Sequence, residues 1–311
     1  MTTNIIELHK DKKGNIPYLT TILKEIPTNT ILCKTLTGLG ATYGEIKAKR
    51  NSIIVEPNVS TIQCKCADPK HANDNLYGVI EKVGVDDIKE YIVNTKDKYY
   101  KFLVTPESFY KVKEAFKELE LSVYNECFML FDESHKLVKD ADYREGIYLP
   151  LDDFFQFKGK ALVSATPVEL SDPRFKDFQK LVIEPQFDFH VNIEIQCTNN
   201  TLERFKQTIN NLQSNCICIF LNSTDTIHAL MEKIGILDES TVFCAPKSVY
   251  KLKQSLNFKN AYSKFDPKLM KKFNFFTSRF NAGMDIELNY KPDLIMLSDV
   301  CLLYTSDAAD E

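Results

Sequence analysis

The chain has 311 residues, 44% hydrophobic and 26% charged, the balance of an ordinary globular protein with apolar material for two cores. Its 39 Lys and Arg against 43 Asp and Glu leave a formal net charge of −4, which excludes a polycation that coats nucleic acid by bulk electrostatics. No run of about 18 apolar residues occurs and no signal-peptide core opens the chain, so membrane spanning and secretion are disfavoured and a cytoplasmic location is expected. Nine cysteines, an odd number with several inside apolar runs, fit reduced thiols rather than a disulfide framework. Cys64-Lys65-Cys66 with His71 invites a zinc reading, but no second ligand pair follows at the usual spacing.

In chain order, Thr30–Cys33, Ser52–Val55, Phe102–Val104, Cys127–Phe131 and Ala161–Val163 read as strands. Their nearly continuous apolar character is what burial on both faces requires, and the helical patterns between them point to a parallel sheet with crossover helices. Residues 107–121 place Phe109, Val112, Phe116 and Leu119 on one helical face. The pattern is interrupted at Glu184-Pro185-Gln186 and restarts, with Cys216–Leu221 a strand, Asp225–Ile234 a helix and Leu294–Leu297 a further strand. A domain boundary is expected within 184–195.

Glycine is scarce, ten in 311 against a usual frequency of about 7%, yet two of the ten fall in Thr37-Gly38-Leu39-Gly40-Ala41-Thr42. That segment lies between a predicted strand and the predicted helix Tyr43–Lys49, a place where backbone N–H groups can converge on a phosphate. A Gly-x-Gly turn that only packs a helix on a strand would read the same. Asp132-Glu133-Ser134-His135 ends the strand Cys127–Phe131, at the sheet edge where open α/β sheets bind ligands. An aspartate there can hold Mg²⁺ through water, and a neighbouring glutamate can orient a hydrolytic water. Ser164-Ala165-Thr166 follows the strand Ala161–Val163.

In this order the three segments resemble motifs I, II and III of the superfamily 2 helicases of the DEAD/DEAH type. Glu56-Pro57-Asn58 resembles motif Ia, and Thr105-Pro106-Glu107-Ser108 resembles motif Ib. Phe220-Leu221-Asn222-Ser223 resembles motif IV, and the run from Phe276 to Ile286 resembles motif V. The resemblance spans about residues 28–300, and the arrangement is also similar to helicase-like proteins of bacteriophages infecting gut Bacteroidetes. It implies an α/β chain of two tandem RecA-like domains with mainly parallel sheets, residues 1–188 and 189–300, the second truncated.

The resemblance further implies ATP and Mg²⁺ as cofactors, with nucleotide between the domains and nucleic acid across both; DNA is ranked ahead of RNA as the partner, with no motif that decides between them. Thr37, Gly38, Leu39, Gly40, Ala41 and Thr42 would hold the nucleotide from the first domain, and Gly283 and Asp285 from the second. Asp132 would bind Mg²⁺ through water with Thr42 reaching the same ion, Glu133 would position water, and His135 would report nucleotide state. Ser164 and Thr166 would couple hydrolysis to domain movement, and Pro57, Thr105, Asn222 and Thr277 would lie along the nucleic-acid path.

The sequence departs from the family at two places. Ala41 stands where motif I has its phosphate-binding lysine, and Lys34, seven residues earlier at the strand end, is one candidate to compensate for it. Motif VI, with its arginine finger, is expected beyond Val300, and the last eleven residues, Cys301–Glu311, resemble a translated adapter read-through and are left out of the fold reasoning. From Thr241 to Lys291 ten basic and three acidic residues give a local net of +7, with Tyr250, Phe258, Tyr262, Phe265 and Phe273 interleaved, a pattern suited to phosphates and bases. The expected activity is an ATP-dependent helicase or translocase. The alternative is a catalytically impaired nucleic-acid-binding scaffold or nucleotide-dependent switch.

Overall fold

The computed structural model describes residues 2–95, 98–136, 146, 149–166, 170–280 and 288–298. The expected contacts Gly283 and Asp285 and the tail 301–311 lie outside the described residues. The chain divides into two compact units, Met1–His190 and Val191–Glu311.

Eight strands form the sheet of the first unit: β1 (Thr3–Leu8), β2 (Thr30–Cys33), β3 (Asn51–Val55), β4 (Leu76–Val79), β5 (Lys101–Val104), β6 (Cys127–Phe131), β7 (Gly159–Ser164) and β8 (Gln179–Pro185). Their spatial order is β1-β8-β2-β7-β6-β3-β5-β4 and every pairing is parallel. Parallel neighbours need crossover connections. Helices α1 (Ala41–Lys47), α2 (Val59–Ala67), α3 (Val85–Asn94) and α4 (Phe109–Glu118) supply those between β2 and β6.

The central strands are apolar at every position because successive residues face two separate cores. Ile53, Val55, Phe102, Val104, Met129 and Phe131 point into one, with Phe109 and Phe116 of α4. Ile54, Leu103 and Leu130 point into the other, with Ile46 of α1 and Ile62 of α2. Each such side chain, fully withdrawn from water, contributes about 1.5–3 kcal/mol, so the sheet is held from both faces and its C-terminal edge is a firm platform.

The second unit repeats the plan with five parallel strands, β9 (Ile217–Phe220), β10 (Ser240–Phe243), β11 (Ala261–Tyr262), β12 (Phe273–Phe276) and β13 (Asp293–Met296), in the order β11-β10-β12-β9-β13. Ile217, Ile219, Val242 and Phe275 face one core, and Cys218, Phe243 and Phe276 face the other.

The strands that the sequence pattern passed over have local reasons for being quiet. β1 and β4 are the two edges of the first sheet, and β1 leaves Ile5 60% exposed, so no continuous apolar run marks it. β4 carries Gly78, where a Cβ would come within 2.9 Å of the Ile62 side chain. β12 hides behind Asn274, which is fully buried yet satisfied, its Nδ2 donating to the Lys271 carbonyl at 2.6 Å.

Candidate functional site

The backbone ladder continues one residue past several strand ends and fixes the direction of the side chains there. Lys34 N–H donates to Ser164 O at 2.9 Å, Asp132 N–H to Val55 O at 3.0 Å and Glu56 N–H to Val104 O at 2.9 Å. Because β2, β7, β6 and β3 are consecutive in the sheet, these ends bring Lys34, Ser164, Asp132 and Glu56 to one stretch of its C-terminal edge. Two non-glycine residues on this edge have left-handed backbones, Thr35 at φ 58 and Glu133 at φ 48. For a β-branched threonine that conformation is costly and persists only where the surroundings impose it.

At the centre, the Lys34 ammonium lies 3.0 Å from Glu133 Oε1 and 3.6 Å from Asp132 Oδ1. The Thr42 hydroxyl donates to Asp132 Oδ2, and Glu133 N–H donates to Asp132 Oδ1 at 2.9 Å. Burial works against a charged Lys34, but the carboxylates of Asp132 and Glu133 more than offset it and hold the ammonium above the usual lysine range. Burial likewise opposes an ionised Asp132; Lys34, Lys65, the Thr42 hydroxyl and the Glu133 N–H overcome it and leave its carboxyl below the ordinary value.

The loop that leads to Thr42 turns at Gly38 and Gly40, with φ of 72 and 76. Gly40 also passes close to Tyr18, whose Cδ1 would lie 3.0 Å from an added Cβ, while Gly38 faces open space. Thr37 and Gly38 are exposed. Leu39 is an anchor, buried in the core with its carbonyl accepting from Leu19 N–H at 2.8 Å. Ala41 is also buried, at 2% exposure.

His135 Nδ1 stands 2.9 Å from Ser164 Oγ and 3.3 Å from Glu133 Oε2. Ser164 Oγ donates to Thr166 O at 2.8 Å and accepts from Thr166 N–H at 3.0 Å. A hydroxyl has one proton, so with that proton given to Thr166 the bond from histidine requires the imidazole proton on Nδ1. His135, Ser164 and Thr166 thus form one hydrogen-bonded chain between the ends of β6 and β7, with the Glu133 carboxylate beside the imidazole.

Two members of this edge were assigned no role from the sequence, although Glu56 opens the segment that resembles motif Ia. Glu56 is 2% exposed, and burial pushes its carboxyl up to about 7 although Lys65 pulls the other way. Lys65, in the last turn of α2, pairs with Glu56 and lies 4.0 Å from Asp132 Oδ2. The available clue was a charge directly after the apolar run Ile53-Ile54-Val55, the same grammar that exposed Asp132.

Of the residues placed on the nucleic-acid path, Pro57 lines a small cavity with Pro106, Asp132 and Glu133. Thr105 is buried and donates to Ser108 Oγ at 3.0 Å. In the second unit Asn222 and Thr277 come together at the ends of β9 and β12, where Asn222 Oδ1 accepts Ser278 N–H at 3.1 Å and Thr277 is 8% exposed. Among the aromatics interleaved with lysines, Phe258 and Phe273 are core residues, which removes them as stacking surfaces, whereas Tyr250 is 71% exposed. At the rejected zinc site, His71 turns Nδ1 to Asp74 at 2.7 Å.

An ammonium beside two carboxylates, with a hydroxyl on one of them and a glycine turn before it, suits a magnesium-bound phosphate. The hydroxyl of Thr42 and the carboxylate of Asp132 are hard oxygen donors of the kind Mg²⁺ takes, so the residues present fit both groups. No family model and no curated protein matches the sequence. Among solved structures, a Saccharomyces cerevisiae Dbp5 variant bound to a Gle1 variant and IP6 aligns at TM-score 0.54 and 11% identity, over 96% of this chain and 86% of that one. The fold is that of two tandem RecA-like domains. A DEAD box protein from the hyperthermophile Methanococcus jannaschii also aligns, at TM-score 0.43 and 11% identity, over 94% of this chain and 87% of that one. Among the described residues no helix is long and apolar enough to cross a membrane.

Proposed function

We propose that this chain is an ATP-dependent nucleic-acid helicase or translocase of superfamily 2, with Mg²⁺-ATP bound at the C-terminal edge of the first sheet. The observation that carries the reading is the placement of Lys34: in a chain whose motif I lysine is Ala41, another lysine reaches Glu133 and Asp132 at 3.0 and 3.6 Å. When bound, the magnesium nucleotide supplies a terminal phosphoryl group open to in-line attack by water. Thr42 and Asp132 would hold the metal, and the Lys34 ammonium, now paired with Glu133, would be free to neutralise a phosphate oxygen. Released from that ion pair, Glu133 orients the attacking water, and its contact with His135 passes the change to the Ser164–Thr166 turn. Gly283 and Asp285, in the segment that resembles motif V and outside the described residues, would be the nucleotide contacts of the second domain. Pro57, Thr105, Asn222 and Thr277 belong to the nucleic-acid path, to which Tyr250 and the surrounding lysines add an outer contact.

The test is phosphate release by the purified chain with Mg²⁺-ATP, with and without single-stranded DNA or RNA. Stimulated turnover that falls about 10³-fold in Glu133→Gln, with nucleotide binding retained, is the expected result. A second reading, a nucleotide-responsive scaffold without turnover, is favoured by the loss of the motif I lysine at Ala41. Its signature is salt-sensitive nucleic-acid binding with no phosphate release in the wild type.

A further inference from the structure

The nucleotide reading gives work to Lys34, Asp132 and Glu133 but none to the ion pair beside them, the buried Glu56 and the half-buried Lys65. Glu56 follows β3 directly, as Asp132 follows β6, and these strands pair with Val55 opposite Phe131. The two carboxylates are therefore neighbours at the same height on adjacent strands, 2% and 4% exposed. Lys65 reaches over both: it pairs with Glu56 Oε1 and lies 4.0 Å from Asp132 Oδ2. Two buried carboxylates side by side compete for any positive charge that enters. Without a cation of its own, Glu56 would attract the metal away from Asp132 and draw on the Lys34 ammonium.

We infer that Lys65 is a positioning residue: by neutralising Glu56 it reserves the metal for Asp132 and the Lys34 ammonium for phosphate. The inference rests on the nucleotide reading above. It assigns different tasks to the two lysines on the basis of their partners. Those of Lys34 are the carboxylates that turn toward metal and water when nucleotide binds, so its ammonium is released, whereas Lys65 is tied to a carboxylate with no such second task.

The experiment measures Mn²⁺ binding without nucleotide by electron paramagnetic resonance, and binding of a non-hydrolysable ATP analogue with Mg²⁺ by calorimetry. Lys65→Met is expected to move the two in opposite directions, Mn²⁺ bound about tenfold more tightly and nucleotide about tenfold more weakly. Lys65→Arg, which keeps the charge, should stay within about threefold of wild type in both. The double variant Lys65→Met/Glu56→Gln should restore both, because the unpaired carboxylate is gone. Loss of both affinities in Lys65→Met, or nucleotide binding that stays weak in the double variant, would overturn the inference and make Lys65 a structural residue or a phosphate ligand. A wild-type chain that binds no nucleotide would instead overturn the reading on which it stands.

Discussion

At the C-terminal edge of the first sheet, five charged side chains crowd together: Lys34, Glu56, Lys65, Asp132 and Glu133. At the same edge of the second sheet, the residues that follow β9, β10 and β12 are Leu221 and Asn222, Cys244 and Ala245, and Thr277 and Ser278, none of them charged. Burial pushes the Cys244 thiol up to about 11, so it stays protonated as well. One fold plan thus carries two electrostatic designs. Burying ions costs several kcal/mol each, and an apolar replacement is often at least as stable, so the charged edge is not there to hold the sheet together. The neutral edge shows that the plan folds without it. The buried ion cluster therefore belongs to the first unit, whereas in the second the two residues after β9, β10 and β12 carry no charge and Arg279 is the nearest ion past β12.

The largest effect that can break this comparison is at Lys34. Lys34→Ala leaves Asp132 and Glu133 without their nearest cation and is expected to lower turnover about 10²–10³-fold. Ala41→Lys should not restore the lost rate, because Ala41 lies within the core, at 2% exposure, and a lysine there disturbs packing before it reaches phosphate. Phosphate release by the single and double variants checks both statements. Unchanged turnover in Lys34→Ala would strip the charged edge of its proposed purpose.

How much of this could be read beforehand follows from the same contrast. The inner strands of the first sheet declared themselves because burial on both faces leaves only apolar residues, as in Cys127–Phe131. β1 and β8 did not, since one is an edge and the other begins with Gln179 and Lys180. Strand ends revealed Asp132, Glu133 and Ser164, and the absence of a lysine at 41 pointed to Lys34. The Glu56–Lys65 pair stayed hidden because eight residues of turn and helix lie between its members, and only the docking of α2 on the sheet joins them. The interleaved aromatics misled for a related reason: period and composition do not say which face of a segment is buried, and Phe258 and Phe273 went inward.

A second effect concerns stability and lies at the opposite end of the first sheet. Lys101 opens β5, is 3% exposed, and donates to the carbonyls of Glu45 and Ala48 at the end of α1 and to Ser52 Oγ, at 2.8, 2.9 and 3.0 Å. Burial lowers its ammonium to about 8, only partly countered by Glu45. Between about 8 and the ordinary 10.5 the unfolded chain binds the extra proton, so this residue makes stability rise with pH across that window. The gain is on the order of 3 kcal/mol, because every tenfold loss of proton affinity on folding is worth about 1.4 kcal/mol. Lys101→Met removes that slope, which urea midpoints measured from pH 7 to 10.5 would show. Equal slopes in both proteins would refute the assignment.

The smallest effect probes the neutral edge. Asn222 Oδ1 accepts the Ser278 N–H at 3.1 Å and so ties the end of β9 to the turn after β12, next to Thr277. Asn222→Ala removes the acceptor and should cost about 1 kcal/mol of stability, a change that by itself does not separate a structural tie from a binding role. Asn222→Asp does. It keeps the acceptor, and with it the melting temperature, but adds a negative charge where the proposed path brings nucleic-acid phosphates. Affinity for single-stranded nucleic acid should then fall several-fold at low salt and recover toward wild type as salt screens the repulsion. If Asn222→Asp binds as tightly as wild type at low ionic strength, the strand end serves the fold alone, and the nucleic-acid path must run over the lysines around Tyr250 instead.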